Sequence, residues 1–306
     1  MTNSKILLFL LGIILGIAQL GSHSLAFSSD LQNFEAGDHC FLLKPNGTLW
    51  AWGANGYGQL GDGTTTDKHS PSQIGVDSGW TAISTQRYAK GAHTLALKAD
   101  GSLWAWGSNG YGQLGDGTKT DRHSPVQIGT DKDWAFISAG GSCSLALKGD
   151  RSMWGWGLNN NGQLGDGTTE SRKTPAPIGS DRDWVQIALG YNHSMALKSN
   201  KTLWAWGSNI FGQLGDGSNE ERLFPKQVPA SHTWVMLAAG ARHGLALAEN
   251  GTLWAWGSNA NGQLGDGTTQ SQNSPVQIGK ENNWSFVVVS VVNSGHQIDH
   301  AASRCS

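Results

Sequence analysis

Five near-identical strings govern what this chain can fold into. Leu-Trp-Ala-Trp-Gly, or a close variant, begins at Leu49, Leu103, Met153, Leu203 and Leu253. Gly-Gln-Leu-Gly-Asp-Gly follows each of them, at Gly58, Gly112, Gly162, Gly212 and Gly262. A further lone Trp closes each unit, at Trp80, Trp134, Trp184, Trp234 and Trp284, so that three per unit account for all 15 Trp of the chain. The copies recur about every fifty residues, the spacing of a repeat architecture. A unit this small cannot bury its apolar surface alone. Stacking against its neighbours is the solution open to it.

The second unit shows what each repeat is made of. Thr94-Leu95-Ala96-Leu97-Lys98 alternates and runs into Asp100-Gly101, a two-residue hairpin turn. Asn46-Gly47 and Asn250-Gly251 supply the same turn in the first and fifth units. The return strand Ser102-Leu103-Trp104-Ala105-Trp106 puts Trp104 and Trp106 on one face and Leu103 and Ala105 on the other. Both faces are apolar, so the strand is expected to be covered on both sides. Pro125-Val126-Gln127-Ile128 suits an edge strand, and Trp134-Ala135-Phe136-Ile137-Ser138 forms a fourth. Four short strands without helical periodicity predict an all-β fold: a β-propeller of five four-stranded repeats. A Trp in every unit can bury about 150–250 Å2. Trp104, Trp106, Trp154, Trp156, Trp204 and Trp206 are therefore assigned to the core.

The pattern His-Thr-Leu-Ala-Leu-Lys-x-Asp-Gly-Ser-Leu-Trp-Ala-Trp-Gly-x-Asn-x-x-Gly-Gln-Leu-Gly-Asp-Gly resembles the repeat of the regulator of chromosome condensation family, over roughly residues 31 to 290. That resemblance implies a β-propeller, commonly of seven blades. Five units then correspond to a small closed ring or to an incomplete seven-blade type, shortened or frame-shifted near its end. Leu31 to Gly37 and Trp284 to Val289 both match the strand that precedes the His column, so one of the two is surplus unless they compete for ring closure. The family includes a nuclear exchange factor for a small GTPase, and its repeat also resembles secreted bacterial propellers, one of which inhibits β-lactamases through a loop face.

The ends of the chain differ from the repeats. Lys5 precedes an apolar run from Ile6 to Ile17, and Ser24-Leu25-Ala26 offers a cleavage site. This is the layout of a signal peptide over residues 1–26, followed by a repeat domain over 27–290 and an irregular tail over 291–306. Export to the cell surface, periplasm or medium follows from it, with no membrane span in the mature chain. Net charge is −2, which provides no electrostatic footprint for nucleic acid. Of the three cysteines, Cys143 takes a place held elsewhere by His and Cys40 a Thr/Ser place. Cys40, Cys143 and Cys305 do not define a disulfide framework.

Several columns imitate functional motifs. Gly56-Tyr57-Gly58-Gln59-Leu60-Gly61 has the spacing of a dinucleotide loop, but turn residues follow it where a helix is required. The Asp column (Asp62, Asp116, Asp166, Asp216, Asp266) offers one carboxylate per loop, which suits backbone amides in a turn better than Ca2+. The His column (His39, His93, His193, His243, with Cys143 in the third unit) holds one position per unit and is expected to brace neighbouring blades. No metal or cofactor is expected, nor a constellation for catalysis.

Constant columns hold a repeat fold together, which leaves the variable ones free for recognition. The residue before Gly-Gln-Leu-Gly varies as Tyr57, Tyr111, Asn161, Phe211 and Asn261. The pair ahead of the His column varies too, and includes Tyr191-Asn192 and Ala241-Arg242. The second unit carries extra residues around Arg87 and Tyr88. Exposed Tyr, Phe and Arg are the types enriched at binding hot spots. Tyr57, Tyr111, Phe211, Arg87, Tyr88, Tyr191 and Arg242 are therefore the candidate partner-binding residues of an exported, non-enzymatic module whose partner is an unknown protein. A guanine-nucleotide exchange factor and an enzyme acting on a surface polymer are the competing readings.

Overall fold

Strand alternation, hairpin turns and one edge proline per unit lead to five four-stranded antiparallel sheets. The computed structural model describes residues 34–36, 38–86, 91–289 and 300–304. The first sheet holds β1 (Phe34–Ala36), β2 (His39–Leu43), β3 (Leu49–Gly53) and β4 (Lys68–Gln73). The second holds β5 (Trp80–Thr85), β6 (His93–Lys98), β7 (Leu103–Gly107) and β8 (Arg122–Gln127). The third holds β9 (Trp134–Gly140), β10 (Cys143–Lys148), β11 (Met153–Gly157) and β12 (Arg172–Pro177). In the fourth are β13 (Trp184–Leu189), β14 (His193–Lys198), β15 (Leu203–Gly207) and β16 (Arg222–Gln227). The fifth consists of β17 (Trp234–Ala239), β18 (His243–Ala248), β19 (Leu253–Gly257) and β20 (Gln272–Ile278). A two-stranded sheet, β21 (Trp284–Val289) with β22 (His300–Arg304), follows.

Each sheet is one propeller blade, its strands joined in chain order. The lone Trp does not close a unit, as the sequence spacing implies, but opens the next blade: Trp134 begins β9 and pairs with Lys148. Within the stretch 291–306, expected to be irregular, β22 pairs with β21 from His300 opposite Val289 to Arg304 opposite Trp284. First strands of successive blades pack side by side, β1 on β5, β5 on β9, β9 on β13, β13 on β17 and β17 on β21. Residues 1–26, expected to form a signal peptide, Cys305, and Arg87 with Tyr88 lie outside the described residues.

The core lies between blades. Leu145, Leu147, Met153 and Ile178 of the third blade pack with Trp184, Ile187, Ala196 and Trp206 of the fourth. Trp106, Trp156, Trp206 and Trp256 are 0% exposed. Trp104, Trp154 and Trp204 are only half-buried, with the opening Trp of their own blade set edge-on at 5.8 to 6.0 Å. In the second to fifth blades the Trp pair of the third strand thus divides its work. One ring enters the joint with the preceding blade, and the other packs within its own.

Candidate functional site

A meander of four antiparallel strands places its first and third connections at one end and the middle hairpin at the other. Tyr57, Tyr111, Phe211 (third connections) and Tyr191, Arg242 (first connections) therefore share one end of the blade stack. The contacts bear this out. The Tyr191 amide donates to the Ala241 carbonyl of the next blade at 3.0 Å, and the Arg242 guanidinium stands 4.9 Å from the centre of the Phe211 ring.

A buried asparagine organises each third connection. The Asn109 amide nitrogen donates to Asp116 Oδ1 (3.0 Å), Thr118 Oγ1 (3.2 Å) and the Thr120 carbonyl (3.1 Å). Its Oδ1 accepts the Leu114 amide at 3.0 Å. Asn55, Asn159, Asn209 and Asn259 repeat the arrangement. The Asp column serves this turn: Asp116 Oδ1 also accepts the Thr118 amide and hydroxyl, and its Oδ2 accepts from Arg122. Burial pushes the Asp216 carboxyl up, but hydrogen bonds from Ser218, Arg222 and Lys226 outweigh it and hold it well below the usual carboxylate range. Asp116 and Asp166 are lowered by the same contest.

Two members of the other repeated polar column brace blades, whereas neither ring nitrogen of the buried His193 has a hydrogen-bond partner among the described residues. His39 Nε2 shares a hydrogen bond with Thr85 Oγ1 at 2.6 Å, and His93 Nε2 with Ser144 Oγ at 2.8 Å, each across a joint. Burial drives the imidazoles down, to about 4 for His39 and His193 and about 3 for His93, so they sit neutral in the core. His243 is buried as well. In their third-blade counterpart, Cys143, burial pushes the thiol up to about 12. Among the described residues no group of three or more His, Cys, Asp and Glu converges as a metal ion requires.

Large aromatic side chains meet solvent at the shared end. Tyr57, Tyr111 and Tyr191 are exposed, as is Arg242. Phe211 is only half-buried rather than presented freely, because Arg242 lies over it. Its neighbour Ile210 is the exposed apolar residue of that loop, at 64%. Phe224 matches it at 64% and lies against Gly167 of the preceding blade. Sequence reasoning passed over both residues, although a column comparison exposes them. Ile210 stands where the other units have Gly56, Gly110, Asn160 and Ala260, and Phe224 stands where they have Ser70, Ser124, Thr174 and Ser274. Ile210, Phe211 and Asn219 also line, with Ser271, Gln272 and Asn273, an open groove of about 250 Å3 at the joint of blades four and five.

Four-stranded blades stacked in series, with exposed aromatic residues on a shared loop end, define a repeat β-propeller. Residues 46–97, 100–147, 151–197, 202–247 and 250–297 match the regulator of chromosome condensation (RCC1) repeat, and the chain belongs to that family. Among relatives, it is 39% identical to the ultraviolet-B receptor UVR8 of Arabidopsis thaliana over 100 residues, 32% of this chain and 22% of that protein. It is 43% identical to human protein RCC2 over 91 residues, 29% of this chain and 17% of that one. The matched stretches thus span less than a quarter of either relative. Among solved structures, human WBSCR16 superposes with a TM-score of 0.75 at 22% identity, covering 88% of this chain and 70% of that one. Prp20p of Saccharomyces cerevisiae gives 0.75 at 22% identity, covering 88% and 67%. At this identity the likeness establishes the fold.

Proposed function

We propose that this chain is an exported, non-enzymatic module that binds a protein partner through the end of the blades carrying Tyr57, Tyr111, Tyr191, Ile210 and Arg242. The observation that carries this reading is the gathering of exposed large side chains at one end, in columns that vary between repeats whose framework does not. Tyr and Arg bind strongly because each combines a large contact surface with a polar group. Solved propellers of the same fold point the same way, since Prp20p is described by its binding to Gsp1p and histones. Export rests on Lys5, the apolar run from Ile6 to Ile17 and the Ser24-Leu25-Ala26 site.

Replacing Tyr57, Tyr111 and Tyr191 together by Ala is expected to abolish capture of a partner from the exported fraction of native cells. The melting temperature should stay within about 2 °C of the parent, the scale of a sub-kcal/mol surface change. Capture that survives the triple change places the binding surface elsewhere. N-terminal sequencing of the native protein checks export: a start at Phe27 supports it, and an intact Met1 refutes it.

A further inference from the structure

Neighbouring blades are joined by one repeated clasp. Trp106 Nε1 of the second blade donates to the Gln59 carbonyl of the first at 2.9 Å. Trp156 does the same to Gln113, Trp206 to Gln163 and Trp256 to Gln213, each at 2.9 Å. A second bond runs the other way. The amides of Gly63, Gly117, Gly167 and Gly217 donate to the carbonyls of His123, Lys173, Leu223 and Asn273 on the outer strand of the next blade. Gly61, Gly115, Gly165 and Gly215 lie buried under the incoming indole, where an added Cβ would come within 2.6 to 2.9 Å of the ring.

The fifth blade carries a complete clasp of the same sequence, Gly262 to Gly267, in the same backbone form, with φ of 73°, 72° and 81° at Gly262, Gly265 and Gly267. Its seat is open to solvent: Gly265 is exposed where its four counterparts are buried, and a Cβ there would meet only Ile278 at 3.7 Å. At the other end of the stack, Trp52 of β3 occupies the column of Trp106, Trp156, Trp206 and Trp256. It is half-buried where those four are fully buried. The first blade thus presents the ring that a clasp receives, and the fifth presents a clasp ready for a ring. His69 stands in the column of His123, whose carbonyl completes the joint.

We propose that these two faces are the halves of one interface, and that copies of this chain associate head to tail with Trp52 of one seated in the Gly262–Gly267 clasp of the next. The Gly265 seat is exposed and Trp52 is only half-buried, and a second copy of the chain carries the complement of each. The interface is heterologous, since the two surfaces differ, and it leaves a free Trp52 and a free clasp at the ends of every assembly. The short sheet β21–β22 takes part in the competition. β21 packs against β17 and β18, the place a first strand holds in the internal joints, so the incoming blade displaces it.

Sedimentation of the purified protein over a range of concentrations tests this. The parent is expected to form a concentration-dependent series of species. Trp52→Ala lacks the ring and keeps the clasp. Gly265→Ala fills the seat and keeps the ring. Each alone should remain monomeric, whereas an equimolar mixture of the two should form dimers and nothing larger, because one competent joint remains per pair. A parent that is monomeric throughout overturns the proposal, as does association that persists in either variant alone. Thermal melts of both variants guard against loss of fold. If one fails to fold, the other still decides between loss and retention of the series.

Discussion

Buried side-chain amides do more for the loops of this propeller than their number suggests. Asn159 is 0% exposed, and its amide group donates to Asp166 and Thr168 while its Oδ1 accepts the Leu164 amide. An alanine there removes all of these bonds and leaves the Leu164 amide buried without an acceptor, which costs about 1–3 kcal/mol for that group alone. Asn159→Ala is therefore expected to lower stability by roughly 2–4 kcal/mol, read from the urea midpoint at unchanged slope. A loss below about 1 kcal/mol would mean that water replaces the amide. The sequence displayed this Asn in every unit but not its task, since the side-chain bonds close between residues up to eleven apart through a loop with no regular pattern. The Asp column was legible because Asp-Gly-Thr is a local turn signature. The opposite held for Phe211: its residue type marked it for binding, while the Arg242 guanidinium that covers it comes from the first connection of the next blade.

Strands, by contrast, were legible almost throughout, because alternation and turn residues are local. What local pattern does not reveal is where a blade begins, and for that reason the lone Trp was assigned to the end of its unit. Trp134 pairs with Lys148, on the far side of a connection, so its membership is settled by partner choice. The joint between blades is a property of such pairs of elements. Gly165 has φ of 81°, and a Cβ there would lie 2.6 Å from Trp206 Nε1, so a methyl group meets both backbone strain and a fixed ring. At Gly265 only the backbone strain remains. Gly165→Ala should therefore lower the melting temperature well beyond Gly265→Ala, by an overpacking cost of about 1–3 kcal/mol. Equal losses in the two variants would show that the indole yields, and that the glycine is kept for its backbone conformation alone.

Across the whole molecule, a buried imidazole in four of the five blades makes stability depend on pH. His39, His93 and His193 have folded values of about 4, 3 and 4. The unfolded chain has a value of about 6.5 for each. In the interval between, the unfolded chain binds protons that the folded chain refuses, so stability rises with pH there and falls as acid is added. The full contribution of the neutral imidazoles is present above about pH 6.5. It declines as pH drops towards 4 and continues to decline towards 3 for His93. At pH 4 the loss is roughly 3 kcal/mol per histidine, which three of them multiply into a large fraction of a typical domain's stability. The lowered aspartates act in the same direction at lower pH, since their contribution is lost only as protons reach the carboxylates. Two phases are thus expected in a plot of unfolding free energy against pH, the first belonging to histidine. His93→Gln can keep a polar group opposite Ser144 while removing the titration. It should flatten the slope between pH 4 and 6.5 by up to about 1.4 kcal/mol per pH unit, one proton's worth. An unchanged slope in that variant would mean that His93 takes up its proton in the folded blade, through the Ser144 contact or solvent entering the joint, and that the acid sensitivity arises from the loops instead.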